Sequence, residues 1–191
     1  MVEETMTTKL KIEMTEKSVT QMIEAARHDP QKFEDLYLLY VQPVFRYLYS
    51  RIRNTPDAED ATAQTFLAAL EQIQKYKHDG YFASWLFSIA RNKAMDYFRK
   101  QRKEAFLNET EFISTDANLL TQVIKTERIT ALSGLIGKLP EDEQELIRLR
   151  YVGELSFAEI GYLFGQKENT VKKSLYRLLA RIKVQLEDSH V

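Results

Sequence analysis

Apolar residues recur along this chain every three or four positions, and no run alternates apolar with polar as a strand would. The pattern predicts helices throughout. "SVTQMIEAARHD" puts Val19, Met22, Ile23 and Ala26 on one face, and Asp29-Pro30 then reads as a cap followed by a first-turn proline. A long stripe follows, of Phe33, Leu36, Tyr37, Tyr40, Val44, Tyr47, Leu48 and Ile52. Pro43 lies inside it and predicts a kink or a break. In "NTPDAED", Thr55 is the expected cap, Pro56 suits the first turn and the acids favour a helix N-terminus, opening a helix to about Gln74. "KYKHDGY" reads as a loop. In Trp85–Lys103 the spacing of Leu86, Ile89, Ala90, Ala94 and Tyr97 or Phe98 predicts a buried stripe, with Trp85 as a core anchor.

The period lapses from Glu104 to Asp116, where the chain leans acidic, so this segment is expected to be a linker. Helical spacing returns near Leu119 and continues to about Ile136. Pro140 starts another helix, which Gly153 stops. "SFAE" is a capping box, with Ser156 as cap and Glu159 three residues on. Gly165 ends that short helix, and Asn169 is the expected cap of a last one reaching about Leu186. The expected fold is all-α: two small helical domains, 18–103 and 119–187, joined by a flexible linker at 104–118, with a helix-turn-helix in the second.

Composition narrows the function classes. The 191 residues are 44% hydrophobic and 29% charged, enough for packed cores and a soluble surface. No stretch approaches the roughly 20 apolar residues that cross a bilayer, and "MVEETMTTKLKIEMTEKS" is unlike a signal peptide, so no membrane insertion of its own and a cytoplasmic location are expected. With no cysteine, disulfides, thiolate metal sites and cysteine catalysis are excluded. Net charge is only −1, but it is unevenly placed. Arg91, Lys93, Arg99, Lys100, Arg102 and Lys103 face a single acid, Asp96, whereas Asn54 to Glu71 holds Asp57, Glu59, Asp60 and Glu71 with no basic residue. Local charge therefore points to two different partners.

"LSFAEIGYLFGQKENTVKKSLYRLLARIK" has the form of a helix-turn-helix, with Ala158, Ile160 and Leu163 inward on the first helix and Val171, Leu175, Leu178 and Ile182 inward on the second. The opposite face shows Lys172, Lys173, Tyr176 and Arg177, donors and a ring suited to guanine edges, thymine methyls and phosphates. In the first half, Tyr76, Lys77, His78, Asp79 and Tyr81 precede the basic helix. Rings beside cations suit unpaired bases, each stack being worth on the order of 1–3 kcal/mol. Spacing alone does not separate that reading from a plain surface loop. A metal-dependent nuclease built on Asp57, Glu59, Asp60 and His78 is disfavoured, because acids cap helices far more often than they bind metals, and His28, His78 and His190 lack ligand spacing. No phosphate-binding G-x-x-x-x-G-K-[ST] loop is present, and neither enzyme activity nor a cofactor is expected. A conventional helix-turn-helix regulator is the competing reading.

Four stretches together resemble the sigma-70 family, in particular the small extracytoplasmic-function (ECF) sigma factors. "FEDLYLLYVQPVFRYLYSRI" is similar to the first helix of the promoter-melting domain, and "DAEDATAQTFLAAL" to the polymerase-binding segment. "YFASWLFSIARNKAMDYFRKQRK" is similar to the part that opens and reads the −10 element, and "LPEDEQELIRLRYVGELSFAEIGYLFGQKENTVKKSLYRLLARI" to the −35 reader. The resemblance implies core RNA polymerase, promoter DNA and an anti-sigma factor as partners. It assigns Asp57, Glu59, Asp60, Gln64 and Phe66 to polymerase docking. It assigns Tyr76, Lys77, His78, Asp79, Tyr81, Asn92, Arg99 and Lys100 to −10 DNA, and Lys167, Thr170, Lys172, Lys173, Tyr176 and Arg177 to −35 DNA. The chain departs from the family pattern at Ala61, Ala63 and Gln64, at Tyr76-Lys77, and at Ser174.

Overall fold

The computed structural model describes residues 18–77, 79–107 and 127–188, and no strand occurs among them. Helix α1 covers residues 18–28 and buries Val19, Ile23 and Ala26. Asp29 then caps a 3-10 turn, Pro30–Lys32, accepting from the Gln31 N–H. Helices α2 (Phe33–Ile52), α3 (Thr55–Gln72) and α4 (Phe82–Leu107) pack against one another, with a 3-10 turn, Ile73–Lys75, ending α3. The second half comprises α5 (Glu127–Gly137), α6 (Glu141–Ile147), a π turn (Arg148–Val152), α7 (Phe157–Phe164) and α8 (Glu168–Asp188).

Most of the predicted stripe positions are buried, but Tyr37 of α2 is 41% exposed, only an edge of its ring meeting Phe66. Leu36, Val44, Tyr47 and Leu48 of α2 are fully enclosed, as are Leu86, Ala90 and Ala94 of α4. Pro43 does not break α2, which runs uninterrupted past it. Burial of Val44, Tyr47 and Leu48 just beyond it holds the helix on course despite the missing N–H.

Two caps differ from expectation. Asn54, not Thr55, caps α3: its backbone is extended (φ −129°, ψ 124°) and its side chain accepts from the Asp57 N–H. Asn169 lies inside α8, because the Lys167 carbonyl already accepts from the Thr170 and Val171 N–H groups. The Ser156–Glu159 capping box forms in both directions. Helix α4 continues to Leu107, four residues beyond Lys103, while the rest of the expected linker and the helical pattern from Leu119 to residue 126 lie outside the described residues.

The turn between α7 and α8 depends on two glycines. Gly165 takes φ +64°, the left-handed conformation that closes a helix. Gly161 lies so close to the incoming chain that a Cβ would stand 2.7 Å from the Gln166 carbonyl oxygen.

The two halves are not independent bodies. A single apolar core passes from Tyr47 and Phe87 in the first to Leu149, Leu155 and Ile160 in the second. Helix α4 packs on α7, and α2 on the π turn.

Candidate nucleic-acid and docking surfaces

On α3, Glu59, Asp60 and Gln64 are exposed, and Gln64 donates to Asp60 at 2.6 Å. Asp57 is half-buried and accepts from the Tyr97 hydroxyl of α4 at 2.9 Å. Burial and that carboxylate push the Tyr97 hydroxyl up to about 12. Phe66 does not share the exposed face: it is 5% exposed and meets the Phe33 and Tyr37 rings edge-on. Leu67 stands in the open instead, one helical face with Asp60 and Gln64, and was not singled out by sequence because an apolar residue in a helix reads as core.

The loop before α4 is organised around Tyr76 and Asp79. The Tyr76 ring is buried against Phe82 and Trp85, and its hydroxyl donates to Asp79 at 3.3 Å. Burial, with Asp79 beside it, holds that hydroxyl well above the usual tyrosine range. Arg27 of α1 donates to the carbonyls of Ile73 and Tyr76, tying the turn to the body of the fold. Lys77 is exposed, and His78 lies outside the described residues. A cavity of about 280 Å³ opens here, lined by Tyr76, Ser84, Trp85, Ser88 and Tyr162 with Lys75 and Lys77 at its edge. Trp85 is thus a half-buried cavity wall as well as a core contact.

Further along α4, Asn92, Arg99 and Lys100 are exposed. Arg99 pairs with Asp96 at 2.8 Å and Lys100 with Glu104 at 3.8 Å. Such exposed pairs are worth at most about 1 kcal/mol, so both cations remain available to a phosphate.

On α8, Val171, Leu175, Leu178 and Ile182 are buried as predicted. Lys172, Lys173, Tyr176 and Arg177 face solvent, with Lys167 and Thr170 exposed at its start. Tyr176 leans on the Phe157 ring at 6.1 Å, which in turn carries the Arg150 guanidinium at 4.7 Å.

The seam between the halves was not visible in the sequence. Glu145 of α6 is 3% exposed and lies against the first half. Its carboxylate accepts from the Tyr47 hydroxyl at 2.6 Å and from Arg51 at 2.8 Å, with Arg91 and Arg148 each at 3.7 Å. Arg46 pairs with Glu154 at the rim, 2.6 Å apart. Ser84 of α4 donates to the Glu159 carbonyl of α7 at 2.8 Å. The Tyr162 ring of α7 stacks on Tyr81 at 4.5 Å and its hydroxyl donates to Asp79. Gly153 presses on Phe87 so tightly that a Cβ would lie 2.6 Å from the ring edge. No described helix is long and apolar enough to cross a membrane.

Comparison with known proteins matches residues 28–104 to the family model for Sigma-70 region 2 and residues 129–182 to that for Sigma-70, region 4. The ECF RNA polymerase sigma factor SigM of Bacillus subtilis is 30% identical over 151 residues, covering 78% of this chain and 92% of SigM. The ECF RNA polymerase sigma factor BldN of Streptomyces coelicolor is 31% identical over 175 residues, covering 88% of this chain and 66% of BldN. The fold is shared with the sigma factor RpoE of Bartonella quintana, solved in complex with the anti-sigma factor NepR. The TM-score is 0.62 at 22% identity, over 82% of this chain and 98% of that one. CnrH, solved with the cytosolic domain of CnrY, gives 0.61 at 21% identity, over 87% and 96%.

Proposed function

The chain belongs to the sigma-70 family, as an ECF-type sigma factor, and from that premise we propose how its surfaces divide the work of initiation. The exposed face of α3, with Glu59, Asp60 and Gln64, docks on a basic surface of core RNA polymerase; Asp57 acts there through its bond to Tyr97, and Phe66 supports the face from within. The loop at Tyr76, Lys77, His78, Asp79 and Tyr81 takes a base pulled from the −10 element, while Asn92, Arg99 and Lys100 of α4 follow the phosphates. Helix α8 reads the −35 element as duplex through Lys172, Lys173, Tyr176 and Arg177, with Lys167 and Thr170 at its entry.

The observation that carries this division is the contrast between the two readers. The face of α8 is convex, cationic and free, fit for a major groove. The loop before α4 is concave and ring-lined, fit for a splayed base. Unstacking costs a few kcal/mol per step, which ring stacking and phosphate contacts must offset. The chain supplies binding energy and no chemistry of its own, and it acts in the cytoplasm beside the polymerase. An anti-sigma protein is a further partner, in keeping with the complexes in which its structural relatives were solved.

The test is run-off transcription with purified core polymerase. Templates are first recovered from a random-sequence library by the complex of this chain with polymerase. Initiation that requires the chain supports the reading; equal initiation without it, or tight duplex binding by the chain with no polymerase association, rejects it.

A further inference from the structure

We propose that Arg27 of α1 is a positioning residue for the −10 reader: its guanidinium holds the backbone of Tyr76, and with it the mouth of the loop before α4. The proposal rests on the reading of that loop as a single-strand reader. It adds to the loop a residue that lies before every stretch carrying the sequence resemblance.

Every nitrogen of the Arg27 guanidinium has a partner. Nε donates to the Ile73 carbonyl at 3.3 Å, Nη2 to the Tyr76 carbonyl, and Nη1 to Glu24 at 2.7 Å. Ile73 and Tyr76 lie at the end of the 3-10 turn that closes α3, where a helix runs out of N–H groups for its carbonyls and favours a cation. Gln74 returns the bond by donating to the Arg27 carbonyl at the end of α1. Two helix ends, 46 to 49 positions apart in the chain, thus brace each other from both sides. The planar fork of an arginine suits a pair of carbonyls in a way the compact ammonium of a lysine does not.

What the brace fixes is the floor of the 280 Å³ cavity. The Tyr76 ring is held by Phe82 and Trp85, at 5.5 and 4.9 Å, and its hydroxyl by Asp79. The core therefore holds the ring while Arg27 holds the backbone. At Tyr76 the chain turns extended (φ −60°, ψ 123°) and leaves the helix. Lys75 and Lys77, on either side, are exposed and line the cavity edge. Released from Arg27, the backbone there could shift and carry both cations off the rim.

Arg27 does not itself take the nucleic acid. Its side chain is only 22% exposed, and its nitrogens are engaged within the fold. A positioning role and a charge role therefore forecast different results.

The experiment uses the complex of the chain with core polymerase. The probe is single-stranded DNA of the −10 segment from a template that this complex recovers from the random-sequence library, with each base replaced in turn. The parent should prefer one base at the captured position. Arg27→Gln should lose about tenfold in affinity for the strand bearing that base, the worth of one stack, and bind the replaced strands as the parent does. Arg27→Lys, which keeps the charge, should lose the preference as well, and Gln74→Ala should lose part of it. The slope of log K against log salt and the binding of −35 duplex should not change, because no phosphate contact is removed. An Arg27→Lys complex that reads the base as the parent does, or a salt slope lower by about one unit in Arg27→Gln, makes Arg27 a charge contact and overturns the proposal. Equal losses for every strand and for the duplex would make it a residue of the fold alone, and overturn it too. A parent complex with no base preference fails the reading of the loop, and this proposal with it; a parent that discriminates beside variants that discriminate equally fails the proposal alone.

Discussion

The hydroxyl of Tyr47, on α2, donates to the carboxylate of Glu145, on α6, across 2.6 Å, and both side chains are almost wholly buried. Ninety-eight positions separate them in the chain. Arg51, one turn beyond Tyr47, completes the arrangement at 2.8 Å from the other carboxylate oxygen. Burial opposes charge on Arg51, but the Tyr47 and Glu145 oxygens outweigh it and hold the guanidinium above its ordinary range.

Removing one member of this group should cost more than removing two. Glu145→Ala leaves the buried Arg51 with only the exposed Glu141 carboxylate and the Tyr47 hydroxyl as partners, a loss of at most about 3–5 kcal/mol if the seam stayed shut. Opening to water limits the loss, so the seam should part before the halves unfold. A double-mutant cycle of Glu145→Ala with Arg51→Ala, read by urea unfolding, should give a coupling of about 1–3 kcal/mol. Simple additivity would show that the contact is energetically idle.

Acid and base should each loosen the Asp79–Tyr162 contact. Burial alone would raise the Asp79 carboxyl, but the bonds it accepts, first from the Tyr162 hydroxyl and then from the Tyr81 N–H and the Tyr76 hydroxyl, outweigh burial and hold it below the usual range. The contact therefore contributes fully above the ordinary value of about 3.9 and is lost as pH falls through the depressed one. Tyr162 is displaced upward, chiefly by its bond to Asp79, so its share is full below the ordinary tyrosine value of about 10 and is lost as pH rises through the raised one. Energy transfer between labels on the two halves, followed against pH, should show closure fading at both ends. Asp79→Asn should flatten the acid limb relative to the parent; an unchanged limb would assign it to other carboxylates.

Much of this was written locally. The stripes of α2, α4 and α8 were readable because 3.6-residue spacing reports burial on one face, and the Ser156–Glu159 box because both partners lie within one turn. The seam was not readable for the converse reason. In "PEDEQE" nothing local distinguishes Glu145 from Glu141, Asp142 or Glu143; its burial is decided by an α2 residue far away. Tyr162 likewise reads as an ordinary half-exposed ring until α7 meets the loop before α4. Phe66 shows the converse: the resemblance assigns it to the docking segment, and its ring turns inward onto Phe33 and Tyr37, which no local pattern announces.

The two glycines of the helix-turn-helix should differ in their tolerance of alanine. At Gly165 a Cβ would meet open space, leaving only the left-handed backbone cost of about 1–2 kcal/mol. At Gly161 it would strike the Gln166 carbonyl at 2.7 Å and also crowd Glu168, forcing α8 outward. Gly165→Ala should lower Tm by a few degrees and retain duplex binding. Gly161→Ala should lose binding more than it loses Tm. Equal effects would mean that the close approach does not set the angle of α8.

Lys172→Ala should weaken duplex binding and reduce the slope of log K against log salt by about one unit, if its ammonium meets a phosphate. Because Lys172 is exposed and apart from the buried stripe, the unfolding free energy should stay within about 0.5 kcal/mol of the parent's. A retained slope would move the contact to Lys173 or Arg177.

Reversing charge on α3 should affect association with polymerase alone. Glu59→Lys/Asp60→Lys replaces two exposed acids and should slow binding to core polymerase by at least about tenfold at low salt, with the loss shrinking as salt rises. Unfolding of the isolated chain should be unaltered. Undiminished association would place docking elsewhere, on Leu67 and its apolar neighbours.

The glycine pressed against Phe87 carries a consequence for descent. The two halves cannot be traded freely among relatives as though they were separate cassettes. A hybrid that takes its first half from this chain and its second from a cousin with any side chain at the place of Gly153 would inherit a collision, and one lacking the acid at the place of Glu145 would inherit a stranded arginine. Substitutions at these places must travel in company, and a lineage that shuffled one half without the other would have to mend the fit before the hybrid could close.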